Sequence, residues 1–455
     1  MTYGGFYNVP GQGSLQQTSE REILWGGMDY QIRVLKMNTV YASTLVDAGS
    51  TPTTLVRAGN LLAEAARIPG MSGTTSMQPD FTQVARRIRD EATDDWNDQV
   101  AVDRFTSKGG VLVRGRGELI GPDTVRVADE EIHATKGIVI GTGTSAAIPP
   151  IEGLAGTPYW TNREAISASV APESLVVMGG GAIGCELAQA FARFGTKVTV
   201  IEASDRLLPM EVPQAGQLVS EVFAAGGINV ATGTSVTSVQ FIDGVFHVAT
   251  GSGVTVAEKL LVATGRRAKL ADLGLGSVGL DPDARFIPVD GQMRAGAGLW
   301  AVGDVTGKGA FTHIATYQAG IATANILGSP IADADYRALP RVTFTDPEIG
   351  SVGMTPDAAR DSGLRVRVGS TKVADSTRGW LHGPGNEGFI ELVEDADAGV
   401  LVGATSAGPV GGEVLSMLTL AVHARVPVAE LRTMIYAYPT FHRGVQEALR
   451  ALAAA

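Results

Sequence analysis

Apolar residues across positions 53–67 recur at helical spacing, and a second helical pattern runs from Phe81 to about Trp96. Shorter apolar runs at 110–115, 124–127 and 137–140 are too brief for helices and predict strands. Beyond position 175 the two periods alternate: strand 175–178, helix 182–194, strand 197–201 and helix 215–225. Strands at 236–242, 245–249 and 259–263 follow. After Pro340 the pattern turns strand-rich, with strands expected at 341–345, 365–371, 388–393 and 400–406 and helices at 412–423 and 428–435. The first 40 residues offer no strand-turn-helix unit.

The clearest chemistry lies in the alternating stretch. Leu175-Val176-Val177-Met178 runs directly into Gly179-Gly180-Gly181-Ala182-Ile183-Gly184, a G-x-G-x-x-G pattern between a predicted strand and a predicted helix. Gly179 permits the tight turn, Gly181 lets a pyrophosphate approach the backbone, and Gly184 allows close helix–strand packing. The helix N-terminus at Ala182 and Ile183 attracts the phosphates. Glu202, eighteen residues beyond Gly184, ends the next strand, where a carboxylate accepts hydrogen bonds from a ribose diol and repels a 2′-phosphate. NADH is therefore expected over NADPH, although Arg206, four residues on, works in the opposite direction. Cys185 at the start of this helix is read as a buried packing residue.

Composition narrows the class. A chain of 455 residues with 44% hydrophobic and 18% charged residues suits a compact protein of two to four domains. A formal charge of −11 without Lys/Arg blocks argues against nucleic acid and against an anionic membrane as partners. No apolar window approaches the roughly 18 residues that span a bilayer, and the start lacks a secretory pattern, so a cytoplasmic protein is expected. The single cysteine excludes an intramolecular disulfide and a Cys-rich metal site. Six scattered histidines, at 133, 247, 313, 382, 423 and 442, suggest no metal site either. Two similar strand-Gly turns, at 140–143 and 263–265, flank the central unit, as when one dinucleotide domain is inserted within another.

Further motifs carry a resemblance. Leu299-Trp300-Ala301-Val302-Gly303-Asp304, Leu261-Val262-Ala263-Thr264-Gly265-Arg266 and Ile140-Gly141-Thr142-Gly143 resemble three turns of the class I pyridine nucleotide-disulfide oxidoreductases. Val342-Thr343-Phe344-Thr345-Asp346-Pro347-Glu348 is similar to the opening of that family's dimerisation domain, and the likeness within the family is to mercuric reductases and their relatives. The resemblance implies an α/β fold of two Rossmann-like dinucleotide-binding domains, one inserted in the other, plus a C-terminal α+β dimerisation domain. The corresponding segments are 1–150 and 271–339 for the FAD-type domain, 151–270 for the NAD(P)-binding domain and 340–455 for dimerisation. It further implies a homodimer carrying FAD, with Thr142, Gly143, Gly265, Gly303, Asp304, Ala310 and His313 on the flavin side.

The chain departs from that family where the family does its chemistry. Residues 42–54 align on the redox loop, but Leu45 and Ser50 stand in place of both cysteines and Thr54 in place of a lysine. A leucine and a hydroxyl cannot relay electrons through a disulfide. Gly11-Gln12-Gly13-Ser14-Leu15-Gln16 keeps two glycines of an FAD fingerprint and puts Gln where the third belongs, so the first 40 residues are either remodelled or degenerate. Tyr438-Pro439-Thr440-Phe441-His442-Arg443 occupies the place of the H-P-T-x-x-E segment that serves the partner subunit, with Tyr438 for His and Arg443 for Glu. Tyrosine is a poor base at neutral pH, whereas histidine, here His442, is the residue type suited to proton transfer there. Tyr438, His442 and Glu186 are the expected catalytic residues. Two readings follow: an FAD-linked NAD(P)H oxidoreductase that passes hydride to a small acceptor without a redox disulfide, or an inactive or regulatory homologue that keeps the nicotinamide site and has lost FAD.

Overall fold

The computed structural model describes residues 22–26, 31–35 and 50–454. The chain forms two compact units, one from Met1–Thr51, Arg89–Ala147 and Arg266–Asp335, the other from Pro52–Ile88, Ile148–Gly265 and Tyr336–Ala455. Elements are numbered in chain order.

The first unit is a layered α/β body. Its main sheet has the order β17 (Arg294–Gly296), β18 (Leu299–Ala301), β7 (Ile138–Gly141), β1 (Glu22–Gly26), β2 (Gln31–Leu35), β3 (Gly110–Arg114). Residues alternate strictly between the two faces of the central pair. Ile138, Ile140, Leu299 and Ala301 pack under a second sheet formed by β4 (Gly117–Gly121), β5 (Thr124–Val127) and β6 (Glu130–His133), whose Leu119, Val125 and Ile132 fill the same core. Val139 and Trp300 face the other way, onto Phe105 of α3 (Gln99–Thr106) and Ile321 of α7 (Thr312–Ile326). Short β8 (Ser145–Ala146) pairs with β16 (Arg266–Arg267) beside this sheet.

Strands β1 and β2 lie within the stretch where the hydrophobic pattern predicts nothing. Strand β1 runs parallel to β7 but antiparallel to β2, and only residues 27–30 separate the two. A parallel crossover needs a dozen or more residues. Among the described residues, β1 is thus followed by an antiparallel neighbour. The glycines at 11 and 13 lie outside the described residues.

In the second unit a parallel sheet of order β11 (Asn229–Ala231), β10 (Lys197–Ile201), β9 (Ser174–Met178), β15 (Lys259–Val262) carries α5 (Ala182–Arg193) and α6 (Pro213–Ala225) on one face. Leu175, Val177, Val198, Val200 and Leu261 point to that face. Val176, Met178, Ile201, Leu260 and Val262 point to the antiparallel sheet of β12 (Val236–Ile242), β13 (Val245–Thr250) and β14 (Gly253–Ala257). Short α4 (Asn162–Ser167) begins on a capping box between Thr161 and Glu164.

The segment 52–88, placed by the sequence reading in the first domain, packs on α5. Leu55 of α1 (Ser50–Ala66) and Phe81 and Val84 of α2 (Phe81–Arg87) share a core with Phe191, whose ring stacks on Phe81 at 5.4 Å. The single helix expected over 81–96 stops being α-helical at Arg87 and continues as one π turn, Ile88–Ala92.

The C-terminal part is an antiparallel sheet of order β19 (Pro340–Thr343), β20 (Glu348–Gly353), β23 (Val400–Gly408), β22 (Phe389–Asp395), β21 (Val366–Lys372). Val352, Ile390, Leu392 and Ala404 face α10 (Gly411–His423), α11 (Val428–Thr433) and α12 (Arg443–Ala454). Ile349, Phe389 and Ala407 join the core of α1, α2 and α5 instead. Two short helices, α8 (Pro356–Asp361) and α9 (Thr377–His382), complete this part. Among the described residues no helix is long and apolar enough to cross a membrane.

Buried Asp346 joins these pieces. Its Oδ2 accepts from Nη2 of Arg67 at 2.6 Å and from Nη2 of Arg193 at 2.7 Å. The Gln189 side chain closes both backbone groups of the same residue, donating to its carbonyl and accepting from its N–H, each at 2.8 Å. Removing one member of a buried charge group leaves the others uncompensated. Asp346→Ala is expected to lower stability by about 3 kcal/mol, read as a lower urea midpoint, and Asp346→Asn, which keeps an acceptor oxygen, to cost less.

Candidate functional site

The glycine turn after β9 meets the three demands of a dinucleotide cradle. Gly179 has φ +113°, and a Cβ there would lie 2.4 Å from the Ala263 carbonyl oxygen. At Gly184 a Cβ would fall 2.0 Å from the Gly179 oxygen, so only glycine lets α5 approach the turn this closely. Gly181 differs from both, because nothing lies within 4 Å of its missing side chain. Gly181 is also the N-cap of α5 and brings no side-chain cap, leaving first-turn N–H groups for a ligand's phosphates. Ala182 is exposed and Ile183 packs against the core below.

Glu202 closes this cradle. Its Oε2 accepts from the Gly180 N–H at 2.5 Å and its Oε1 from the Ser204 N–H at 2.7 Å, at 9% exposure. Each oxygen keeps a lone pair for a further donor. Arg206 commits one terminal nitrogen to the Pro209 carbonyl and the other to Asp205, and its buried Nε has no partner among the described residues. The Cys185 thiol is fully buried, bonds to the Gly180 carbonyl oxygen at 3.2 Å and is pushed far up by desolvation, with Glu186 and Glu202 adding to the effect. It packs and does not ionise.

Glu186 sits one position further along α5 and accepts the Phe344 N–H at 2.8 Å. Burial pushes its carboxyl up to about 7, and the Phe344 bond only partly offsets that.

In the first unit a second polar set forms around Asp304. Thr144 donates to Asp304 Oδ2 at 2.8 Å, and Arg266 donates to the Thr144 hydroxyl and carbonyl at 2.7 Å each while standing 3.6 Å from the same carboxylate. Fully buried Gln318 fixes the turn below by accepting the Gly303 N–H at 2.6 Å. Gly143 and Gly303 hold φ values of +64° and +79°. The hydroxyl of Thr142 is buried without a partner among the described residues, an acceptor and donor left over for a ligand. Ala310 is exposed, and the exposed His313 ring stacks on Phe311 at 5.1 Å. Gly265, with φ +124°, falls at the end of a segment of the second unit and has open space around it.

Tyr438 is 63% exposed, bonds to Thr377 Oγ1 at 3.3 Å and lies under the Arg443 guanidinium at 5.1 Å. His442 is half-buried just before α12. Among the described residues no hydrogen bond or ion pair joins Tyr438 or His442 to Glu186. Thr144 and Gln318 were not singled out from sequence. The signal for Thr144 was weak, a hydroxyl directly after the Thr142-Gly143 turn, and for Gln318 there was none beyond a polar residue inside an apolar helix.

The chain was compared with known proteins. The family described as pyridine nucleotide-disulphide oxidoreductase matches residues 39–319, and its dimerisation domain matches residues 339–449. The chain is 31% identical over 428 residues to a mercuric reductase of Acidithiobacillus ferrooxidans, covering 91% of this chain and 77% of that one. It is 33% identical over 344 residues to a dihydrolipoyl dehydrogenase of Chlorobaculum tepidum, covering 74% and 72%. Among solved structures, the HOCl-induced flavoprotein disulfide reductase RclA from Escherichia coli superposes with a TM-score of 0.78 at 25% identity, over 90% of this chain and 91% of that one.

The raised Glu186 value fixes a pH dependence. A group that binds its proton more tightly in the folded chain contributes stability that is complete below the ordinary value of 4.5 and is lost as the pH rises through about 7. Glu186→Gln keeps an oxygen for the Phe344 N–H. The variant is expected to lose less of its denaturation midpoint than the parent between about pH 5 and pH 8, measured by urea unfolding at both values.

Proposed function

The chain belongs to the class I pyridine nucleotide-disulphide oxidoreductase family of NAD(P)H-dependent flavin oxidoreductases, and we propose that it moves hydride from NADH to a small acceptor without a redox disulfide. The observation that carries this reading is the pairing of a glycine turn with the shape a dinucleotide pyrophosphate needs, from Gly179 to Glu202, with a single cysteine buried beneath it. Dithiol relay needs two sulfurs, and positions 45 and 50 hold Leu and Ser.

Glu202 favours NADH because a carboxylate accepts from a ribose diol and repels a 2′-phosphate. Arg206 does not cancel this, since both its terminal nitrogens are committed. FAD, when bound, supplies the two-electron centre between nicotinamide and acceptor. On its flavin side Asp304, Thr142 and Gly143 would hold it, with Ala310 and His313 as further candidates. The unpartnered Thr142 hydroxyl and the carboxylate presented by the Gly303 turn fit that part. Glu186 holds or releases a proton near neutral pH beside the glycine turn, and the segment from Tyr438 to His442 completes the site across a homodimer. The matched dimerisation domain supports that assembly.

The second reading, a homologue that binds the dinucleotide but has lost FAD, is favoured by one observation: strand β1 leads into an antiparallel neighbour where a pyrophosphate helix would stand. The visible spectrum of the purified dimer separates the two. Bound-flavin absorption supports the oxidoreductase, and a colourless protein that still binds NADH supports the other.

Glu202→Ala is expected to weaken NADH binding about tenfold and to narrow the preference for NADH over NADPH, both read by calorimetry on the intact dimer. A parent protein with no affinity for either dinucleotide at millimolar concentration would overturn the assignment.

A further inference from the structure

The loop that leads into α12 and the short helix α9 bring together cations that lack anions. The Arg378 guanidinium lies over the Phe441 ring at 5.1 Å, and the Arg443 guanidinium over the Tyr438 ring at 5.1 Å. The Tyr438 hydroxyl bonds to Thr377, the neighbour of Arg378, so the two stacks sit on the same pair of juxtaposed segments. His382 packs edge-on against Phe441 at 5.6 Å. Its imidazole is held below its ordinary value by burial first and then by Arg378 and Arg67. Two carboxylates act on His382 from the other side: Asp346, already engaged by Arg67 and Arg193, and Glu387. Among the described residues neither Arg378 nor Arg443 meets a carboxylate.

This pattern is unusual in a chain of formal charge −11. A guanidinium held over an aromatic ring without a carboxylate partner still carries N–H donors, and their fork matches the two oxygens of a carboxylate or sulfonate. Trp380, 74% exposed, and Tyr438 add aromatic surface on which a planar ring can stack. We propose that the cluster of Arg378, Arg443, Tyr438 and Phe441 binds the electron acceptor, and that this acceptor is a planar anion of the quinone carboxylate or sulfonate class. The proposal rests on the reading that residues 438–443 border the electron-transfer site. The reaction balances as NADH plus a proton plus quinone giving NAD⁺ plus hydroquinone, with the second hydrogen of the hydroquinone drawn from solvent.

The test uses the full-length dimer and two probes, 1,4-naphthoquinone-2-sulfonate and neutral 1,4-naphthoquinone. In calorimetric titration without NADH the sulfonate is expected to bind at least tenfold more tightly than the neutral quinone, a preference that fades in high salt. Arg378→Gln with Arg443→Gln should abolish the preference, and Arg378→Lys with Arg443→Lys, which keeps the charge, should retain part of it. With NADH, the double Gln variant should raise KM for the sulfonate at least tenfold and shift that for the neutral quinone less than twofold. Equal binding of both quinones by the parent, or a preference untouched by the Gln pair or by salt, overturns the proposal. A Gln pair that splits the dimer in light scattering also overturns it, because the arginines would then serve a second copy of the chain. Selective sulfonate binding without NADH turnover would sink the hydride-transfer reading while the anion site stood.

Discussion

Charge taken out of water must be matched where it is buried, and Asp346 meets that demand by gathering partners from distant parts of the chain. Arg67 arrives from just beyond α1, Arg193 from the end of α5 and Gln189 from the middle of the same helix. The C-terminal sheet, the first long helix and α5 are thereby tied at one carboxylate. Helix α5, which starts at the glycine turn, cannot shift without breaking this group.

That rigidity matters because the turn has almost no slack. Gly179 and Gly184 are pressed against carbonyl oxygens, and Glu202 clamps the intervening Gly180 through its N–H. Only Gly181 faces open space. A site that presents backbone to a ligand needs its surroundings filled so that the ligand side alone stays empty. The arrangement in the first unit follows the same logic with side chains, where Gln318 fixes the Gly303 backbone and Arg266 and Thr144 set the Asp304 carboxylate.

Local patterns made part of this legible. The run from Leu175 to Glu202 could be read because its strand, turn and helix are contiguous and each glycine has a steric reason. Unbroken apolar runs in β7 and β9 likewise mark strands that are covered on both faces. Partners in space were not legible. Phe81 and Leu55 are apolar at helical spacing, which says that they are buried but not that their neighbour is Phe191, more than a hundred positions away. The pairing of Arg266 with Thr144 and Asp304 joins three separate segments, and no short window contains it. Strands β1 and β2 escaped, although strands as short were read at 110–115 and 124–127. Helix α12 escaped although its apolar stripe is plain once Val445, Ala448, Leu449 and Leu452 are seen buried together. Exposed Tyr438 and half-buried Arg443 could be noticed only by residue type, and the Tyr438 contact with Thr377 of α9 needed the structure.

On the oxidoreductase reading, a single buried thiol at Cys185 limits how many electrons a subunit can store. An enzyme with a dithiol beside its flavin can hold one electron pair on carbon and nitrogen and another on sulfur, and so can accept a second nicotinamide before it discharges. Here the one thiol is sealed under the glycine turn. On the oxidoreductase reading each pair of electrons must leave before the next arrives, so supply and discharge run in strict alternation. Thiol-blocking reagents would find nothing to arrest.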